Sequence, residues 1–204
     1  MIIVVEGPSG AGKTTWCRQH GGRFALLEAL PDHASVPADA RDAARFWLDR
    51  NVARWREVSE REARDGLVVV DTDPFKLHFV WTLFQSGQGT GRDWITHREV
   101  AREAFAAGRY ALADLYLVSD IDADVLRARR DADGTRTRRN FERHVLLRDA
   151  LIRWYRAVDA LEPGRVVFGL PDGGLTARML AMGKRTSRVG ADVFDGLVRE
   201  LEVG

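Results

Sequence analysis

Residues 7 to 14 have the types and the spacing of a loop that binds phosphate groups. They read G-P-S-G-A-G-K-T and match G-x-x-x-x-G-K-[ST] at every fixed position. The three glycines of the loop allow tight turns that point successive backbone N–H groups inward, and a helix beginning near Lys13 adds the positive end of its dipole. We therefore expect a triphosphate to be held by Gly7, Pro8, Ser9, Gly10, Ala11, Gly12, Lys13, Thr14 and Thr15.

Two side chains of this loop have chemical roles in the pattern. Lys13 is expected to reach the β- and γ-phosphates as a point charge, and the Thr14 hydroxyl to coordinate a Mg²⁺ that bridges them. The alternative is a glycine-rich turn without a ligand. The run Ile2-Ile3-Val4-Val5 directly before the loop argues against it, because a continuous β-branched run is typical of a strand covered on both faces.

Acidic residues stand at or just after the ends of three predicted strands, at Glu6, Glu28 and Asp71, with Asp73 two residues further on. Ligands of open parallel sheets bind at the carboxyl ends of the strands. Asp71 is therefore a candidate to hold a metal-bound water or to accept a proton from an attacking hydroxyl. The alternative role of Asp71 is that of a turn residue. Glu28 and Asp73 are candidate substrate ligands, although a structural role is as well supported for Glu28, and Glu6 is interpreted as structural.

Seven arginines crowd between the fourth and fifth predicted strands. They lie in residues 125 to 143, V-L-R-A-R-R-D-A-D-G-T-R-T-R-R-N-F-E-R. Phosphoryl transfer spreads negative charge over the transferred group, and a closing segment that carries arginines stabilises this charge and excludes water. We interpret residues 127 to 143 as a lid. The alternatives are a solvated basic helix face and a patch for nucleic-acid phosphates, and the acidic residues nearby weaken the second.

The region between the second and fourth predicted strands is rich in aromatic residues. Flat aromatic walls suit a nucleoside base or another planar, hydroxyl-bearing molecule. Trp81 and Trp94 flank the glycine-rich segment at residues 86 to 93 and are the candidate walls, with packing in the core as the alternative. Arg98 is a further candidate, for an acceptor that carries a phosphate. Three aromatic residues on apolar stripes are instead interpreted as core: Trp47, Trp55 and Phe79.

These candidates need five short buried strands that alternate with helices. The strands are predicted at residues 2 to 5, 24 to 28, 67 to 71, 114 to 118 and 165 to 168. This alternation implies a parallel sheet covered on both faces. Residues 39 to 64 carry an apolar stripe of helical period. Asp73-Pro74 predicts a helix with Asp73 as its cap, and residues 86 to 93 predict a mobile polar loop.

Composition indicates one globular domain. The 204 residues, 45% apolar and 30% charged, can bury a full core, and we predict a single domain over residues 1 to 204. Lys and Arg total 31 against 30 Asp and Glu, so net charge gives no attraction to nucleic acid or membranes. The single cysteine, Cys17, fits a reducing cytoplasm. Without a basic leader or a run of about 18 apolar residues, the chain is expected to be soluble and cytoplasmic.

Three segments together resemble a known group of enzymes. The loop G-P-S-G-A-G-K-T-T, the strand end D-T-D-P at residues 71 to 74 and the segment D-A-D-G-T-R-T-R-R-N-F-E-R look like the nucleoside- and nucleotide-kinase-like branch of the phosphate-loop NTPases. Within this branch, D-T-D is similar to ribosylnicotinamide kinases, and Glu28 after the second strand is similar to related small-molecule kinases. The resemblance covers nearly the whole chain.

The resemblance implies a three-layer α/β/α domain with a five-stranded parallel sheet in the order 2-3-1-4-5. It also implies ATP and Mg²⁺ as cofactors and places adenine near residues 169 to 173. Related kinases are often dimers, so a second copy of the chain is a candidate partner. The catalytic and metal-side residues that it implies are Lys13, Thr14 and Asp71, and the lid arginines are Arg136 with Arg130, Arg138 or Arg139.

Two departures from related kinases bear on the acceptor. Thr72 stands where thymidylate kinases place an arginine, and the D-G-[FY]-P-R pattern of adenylate kinases does not occur. An acceptor without a phosphate is therefore favoured. We expect a kinase that phosphorylates a hydroxyl of a nucleoside-like or other planar metabolite. The alternatives are a nucleoside monophosphate kinase and an NTPase that acts with a protein or nucleic-acid partner.

Overall fold

The computed structural model describes residues 1–28, 36–132 and 141–203, which fold around a five-stranded sheet. The order is β2-β3-β1-β4-β5, and every neighbouring pair is parallel. Helices cover both faces, so the predicted three-layer architecture and the sheet order 2-3-1-4-5 are confirmed. The strands are β1 (Ile2–Glu6), β2 (Ala25–Leu26), β3 (Val68–Asp71), β4 (Leu115–Val118) and β5 (Val166–Phe168).

Alternation along the strands divides the core between the two faces of the sheet. Ile2 and Val4 of β1 join one apolar cluster, whereas Ile3 and Val5 join another on the opposite face. Every residue of β1 is buried, as expected for a central parallel strand whose first four residues are apolar. The sheet is therefore a rigid support for the segments that follow its carboxyl ends.

Nine helices are present in the described residues. Helix α1 runs on into a π-helical turn (Cys17–Gly21) and a 3₁₀ turn (Gly22–Phe24). In this part of the chain, no helix combines the length and the apolar character that crossing a bilayer requires. The helices are α1 (Lys13–Trp16), α2 (Ala40–Asp65), α3 (Leu77–Gln85), α4 (Gly91–Ala106), α5 (Ala123–Ala132), α6 (Phe141–Leu146), α7 (Arg148–Leu161), α8 (Ala177–Ala181) and α9 (Ala191–Val203).

Helix α2 matches its prediction to within one residue at each end. The Asp39 side chain accepts hydrogen bonds from the backbone N–H groups of Arg41 and Asp42, which caps the first turn. Gly66 ends the helix with a φ of 75°, a left-handed conformation that glycine adopts without strain. The helix extends past the sheet, so its first half is available to line a site beyond the strand ends.

Two predicted boundaries are wrong. The helix expected to start with Asp73 as its cap begins instead at Leu77. The Asp73 carboxylate accepts a hydrogen bond from Phe75 N at 2.9 Å, a local turn that competes with helix formation. The polar segment after α3 is also shorter than predicted, because Thr90 caps α4 by accepting from Asp93 N at 3.0 Å.

A buried group of charged residues joins the segment before α9 to the amino ends of the strands. Arg165 is fully buried and pairs with Glu162 at 3.0 Å, and Arg188 pairs with Glu62 and Asp114 at 3.2 Å each. Burial raises the pKa of Glu62, but hydrogen bonds from Arg188, the terminal amine and Lys184 outweigh burial and lower it to about 2. The charged residues at the amino ends of the strands are therefore structural, and ligand sites are expected at the carboxyl ends.

Leucines on two helices give a matched test of the core. Leu197 is 1% exposed in the main apolar cluster, whereas Leu146 is 67% exposed. We expect Leu197→Ala to lower the free energy of unfolding by about 2–5 kcal/mol, because it leaves a cavity. Leu146→Ala should change it by less than about 0.5 kcal/mol. Urea unfolding followed by circular dichroism measures both, and equal losses would contradict this assignment of the core.

Candidate nucleotide and acceptor sites

The loop after β1 is built from glycines that other residues cannot replace without strain. Gly7 has a φ of 149° and Gly12 a φ of 89°. A Cβ at Gly7 would lie 2.7 Å from Ser119 Cβ, so the loop approaches the end of β4 more closely than any side chain allows. The Lys13 ammonium donates to the carbonyls of Gly7 at 2.7 Å and Pro8 at 3.2 Å, which holds it inside the curve of the loop.

Thr14 and Asp71 meet at the end of β3. The Thr14 hydroxyl donates to Asp71 Oδ2 at 2.7 Å, and Asp71 is 1% exposed. Among the described residues, no group of three or more His, Cys, Asp or Glu side chains forms a metal cage. The Thr14 hydroxyl and the Asp71 carboxylate suit Mg²⁺, which is held in proteins by one or two side-chain oxygens together with phosphates and water. Thr14 and Asp71 are the residues that could hold it.

A cavity of about 790 Å³ opens over the loop, between β4 and the segment after β5. Ser119 lines it and buries a hydroxyl that has no hydrogen-bond partner among the described residues. Trp16 Nε1 donates to Pro171 O at 2.8 Å and so ties α1 to the segment after β5. An unpartnered hydroxyl beside an anion-binding loop fits a nucleotide. The residues expected near adenine that line the cavity are Gly169, Leu170 and Asp172.

The lid predicted at residues 127 to 143 is described only at its two ends, α5 and α6. Arg129 of α5 lines the cavity over the loop, which we refer to below as the nucleotide cavity, and donates to Ala11 O at 3.4 Å. Arg130 points elsewhere, since it pairs with Glu142 at 2.6 Å and Asp131 at 2.8 Å and lies over the Phe141 ring. The structure therefore brings Arg129 to the loop and not Arg130. The other candidate lid arginines, Arg136, Arg138 and Arg139, lie outside the described residues.

A second cavity, of about 840 Å³, lies between the first half of α2, α3 and α4. Phe75 lines it together with Trp47 and Phe79, two residues that the sequence places in the core. Trp81 and Trp94, expected as the walls, are instead 3% and 7% exposed and belong to the main apolar cluster. The helices turn these two rings inward. We refer to this space below as the acceptor cavity.

Arg98 does not line the acceptor cavity. It pairs with Glu202 of α9 at 3.3 Å, and its guanidinium lies 5.8 Å from the centre of the Trp94 ring. These contacts join α4 to α9. The structure thus gives Arg98 a place in helix packing, beside Trp94 and outside both cavities.

Glu28 lies between the two cavities and is the one residue among those described that lines both. Its carboxylate accepts from the Thr72 hydroxyl and from Lys76 Nζ, each at 3.2 Å. Thr72 has a φ of 70°, which is rare for a β-branched residue and costs about 1–3 kcal/mol. This backbone conformation places the Thr72 hydroxyl between Glu28 and Asp71, whose Oδ1 lies 3.5 Å away.

Arg54 of α2 is a site residue that the sequence analysis missed. It lines the acceptor cavity and donates through Nη2 to Asp71 O at 2.6 Å. Its buried Nε has no partner within the described part of the chain. A signal was present in the spacing, because Trp47, Asn51 and Arg54 lie three or four residues apart on α2 and so share a face. Arg129 and Thr72 carried no such signal, since both depend on the course of the backbone.

Beneath the loop lies a buried polar network centred on Glu6 and Asp73. Glu6 accepts from Gly7 N and Asp73 N, each at 2.8 Å, and Tyr155 OH donates to Asp73 at 2.9 Å. Burial raises the pKa of Asp73 to about 7 and lowers that of His78 to about 4. Burial also acts to raise the pKa of Glu6, but neighbouring cations and a backbone N–H lower it overall. Asp73 is 1% exposed and lines neither cavity, so it is placed as a buried structural group.

Asp73 makes the stability of the fold depend on pH. Its pKa is about 7 in the folded protein and near 3.8 in the unfolded chain, so the folded state binds the extra proton between these values. The stabilisation that comes from binding this proton is fully present below about pH 4. It is lost as pH rises to about 7, and the total loss is up to about 4 kcal/mol. Relative to Asp73→Asn, the unfolding free energy of the natural protein should therefore fall over this range. Parallel profiles in urea unfolding would contradict this prediction.

Solved structures share this arrangement of strands and helices. The chain resembles the deoxyadenosine kinase from M. mycoides with bound dATP, with 14% sequence identity and a TM-score of 0.56 over 89% of this chain and 96% of that chain. It also resembles deoxyadenosine kinase from M. mycoides with the products dCMP and a flexible dCDP bound, with 13% identity and a TM-score of 0.56 over 100% of both chains. No family model and no curated protein matches the sequence. The resemblance to ribosylnicotinamide kinases stays a prediction, and what the chain shares with these structures is the fold, built on a five-stranded parallel sheet in the order 2-3-1-4-5.

Proposed function

We propose that the protein is a kinase that transfers the γ-phosphoryl group of ATP to a hydroxyl of a nucleoside-like or other planar small molecule. The observation that supports this most is the position of Glu28, which lines both the nucleotide cavity and the acceptor cavity. A carboxylate between the two sites is where a group must lie to orient an attacking hydroxyl. The likeness to deoxyadenosine kinases is in keeping with this chemistry.

In the proposed reaction, the acceptor oxygen forms a bond to the γ-phosphorus while the bond to the β–γ bridging oxygen breaks, which releases ADP. Glu28 accepts the proton of the hydroxyl. Lys13 and the backbone of the loop bind the phosphates, and Arg129 is placed to stabilise the charge on the transferred group. Mg²⁺, when bound, neutralises phosphate charge. Asp71 orients Thr14, so we assign Asp71 to the metal side and the role of base to Glu28.

The alternatives have less support. A nucleoside monophosphate acceptor needs cations for its phosphate, and Arg98, the candidate for that role, pairs with Glu202 outside the acceptor cavity. Of the cations that line the cavity, Lys76 pairs with Glu28 and Arg54 donates to Asp71 O, which leaves Arg50 in the described lining. An NTPase that works through a macromolecular partner needs no cavity of about 840 Å³ beside its nucleotide site. The kinase proposal accounts for both cavities.

The proposal is tested by ADP release in the presence of Mg-ATP and a panel of nucleosides, nucleotides and hydroxylated metabolites. Release should be slow with Mg-ATP alone and should rise sharply with one chemical class of acceptor. Equal rates across the panel, with stimulation only by a protein or by DNA, would favour the NTPase alternative instead.

Replacing the candidate base should separate chemistry from nucleotide binding. We expect Glu28→Gln to lower kcat with the acceptor that the panel identifies by about 10²–10⁴-fold, because a positioned base contributes that much. The affinity for Mg-ATP, measured by calorimetry, should change little. Glu60→Gln, on the exposed side of α2, is the matched control and should keep full activity. A Glu28→Gln variant with normal kcat would rule out the proposed role.

The two adjacent lid arginines should differ in their effect on turnover. Arg129→Gln should lower kcat by about 10–10³-fold with little change in Mg-ATP affinity, because Arg129 reaches the loop. Arg130→Gln removes surface ion pairs and should change kcat by less than about threefold. Steady-state kinetics of both variants measure this contrast. The reverse order would show that Arg130 is the arginine that acts on the phosphates.

A further inference from the structure

The lining of the acceptor cavity changes from charged to apolar along α2. Four lining residues, Arg54, Asn51, Trp47 and Ala44, follow one another at intervals of three or four and so form one stripe. Arg54 is fixed at the end of β3 by its hydrogen bond to Asp71 O. With a rise of about 1.5 Å per residue, Ala44 lies about 15 Å further along the helix. The polar end of the stripe is thus the end beside the strand ends.

Helix α3 and the residue before it repeat this gradient. Lys76 pairs with Glu28, and the lining residues that follow it on α3 are Leu77, Phe79, Val80 and Leu83. Leu83 lies about 10 Å from Lys76 along the helix. Two separate elements therefore place charge at the reacting end of the cavity and apolar side chains away from it.

Three charged groups at the reacting end have partners. Glu28 accepts from Thr72 and Lys76, and Arg54 Nη2 donates to Asp71 O, while the buried Arg54 Nε has no partner in the described part of the chain. Arg50 and Glu57 of α2 also line the cavity. In the described lining, the neutral polar side chains that remain are Asn51 and His97. A nucleobase edge carries several donors and acceptors, and each one that is buried without a partner weakens binding. The cavity suits a molecule with fewer polar groups.

We propose that the acceptor is an amphipathic alcohol whose hydroxyl lies at Glu28 and whose body, about 10 Å long, is mainly apolar and lies between α2 and α3. Trp47 and Phe79 contact an aromatic or aliphatic body from opposite helices, and Asn51 accommodates one further polar group. This inference rests on the proposed kinase function for the reaction itself. The chemical class of the ligand can be tested without turnover.

Calorimetry with the complete protein compares two probes, phenylbutanol and deoxyadenosine. Phenylbutanol is an alcohol with an aromatic body of about the required length. We expect it to bind at least about tenfold more tightly than deoxyadenosine, with a negative heat-capacity change that marks the burial of apolar surface. Equal or tighter binding of deoxyadenosine, or no binding of phenylbutanol at low millimolar concentration, would overturn the proposal.

Variants at the apolar end locate the bound probe. Leu83→Gln should weaken phenylbutanol binding by about tenfold, since it places an amide against the apolar body. Ile95→Gln makes the same kind of change on α4, 47% exposed and away from the cavity, and should leave binding unchanged. Val80→Thr, nearly identical in shape, is a second variant should Leu83→Gln fold poorly. Unchanged affinity in a folded variant at residue 80 or 83 would overturn the proposal.

Turnover then separates this inference from the kinase proposal. Phenylbutanol that binds but causes no release of ADP from Mg-ATP would support the ligand class and contradict the kinase proposal. Release of ADP with deoxyadenosine and not with phenylbutanol would support the kinase and overturn the ligand class. Release with phenylbutanol supports both.

Discussion

The carboxylate of Glu6 fixes the relative position of the two segments on which the candidate site depends. One oxygen accepts from Gly7 N at the start of the phosphate loop, and the other accepts from Asp73 N after β3. Lys13 Nζ lies 3.9 Å from the same group. A buried charge is stable only when it is paired and hydrogen-bonded, so loss of either segment would leave Glu6 uncompensated. This coupling explains why the residue ending β1 is an acid although the four residues before it are apolar.

The two cavities meet at one carboxylate because three strands end side by side. β1 carries the loop, β3 carries Asp71 and Thr72, and β2 delivers Glu28 from the outer side. With β3 in the middle of this group, its turn contacts Thr14 on one side and Glu28 on the other. The cavity over the loop and the cavity between α2, α3 and α4 thus share a wall at Glu28. The proposed transfer between them would need no diffusion of an intermediate through water.

The sequence predicted those parts of the molecule that follow from local pattern. Continuous apolar runs identified the strands, and the glycine spacing identified the loop, while the sheet order came from resemblance to known kinases. Positions that depend on which side of a helix faces a cavity were not predictable in the same way. Successive helical residues point about 100° apart, so Arg129 reaches the loop while Arg130 pairs with Glu142. Closeness along the chain favoured Trp81 and Trp94, but the packing of α3 and α4 turns both inward and leaves Trp47 and Phe79 at the cavity.

The left-handed backbone of Thr72 lowers local stability while it positions a hydroxyl in the candidate site. The conformation costs a β-branched residue about 1–3 kcal/mol, and glycine would adopt it without strain. Glycine, however, has no hydroxyl to contact the carboxylates of Glu28 and Asp71. Selection for a more stable chain and selection for a better-ordered site therefore favour different residues at this position. The strained backbone at Thr72 lowers the stability of the fold, and the same backbone places a hydroxyl against both carboxylates.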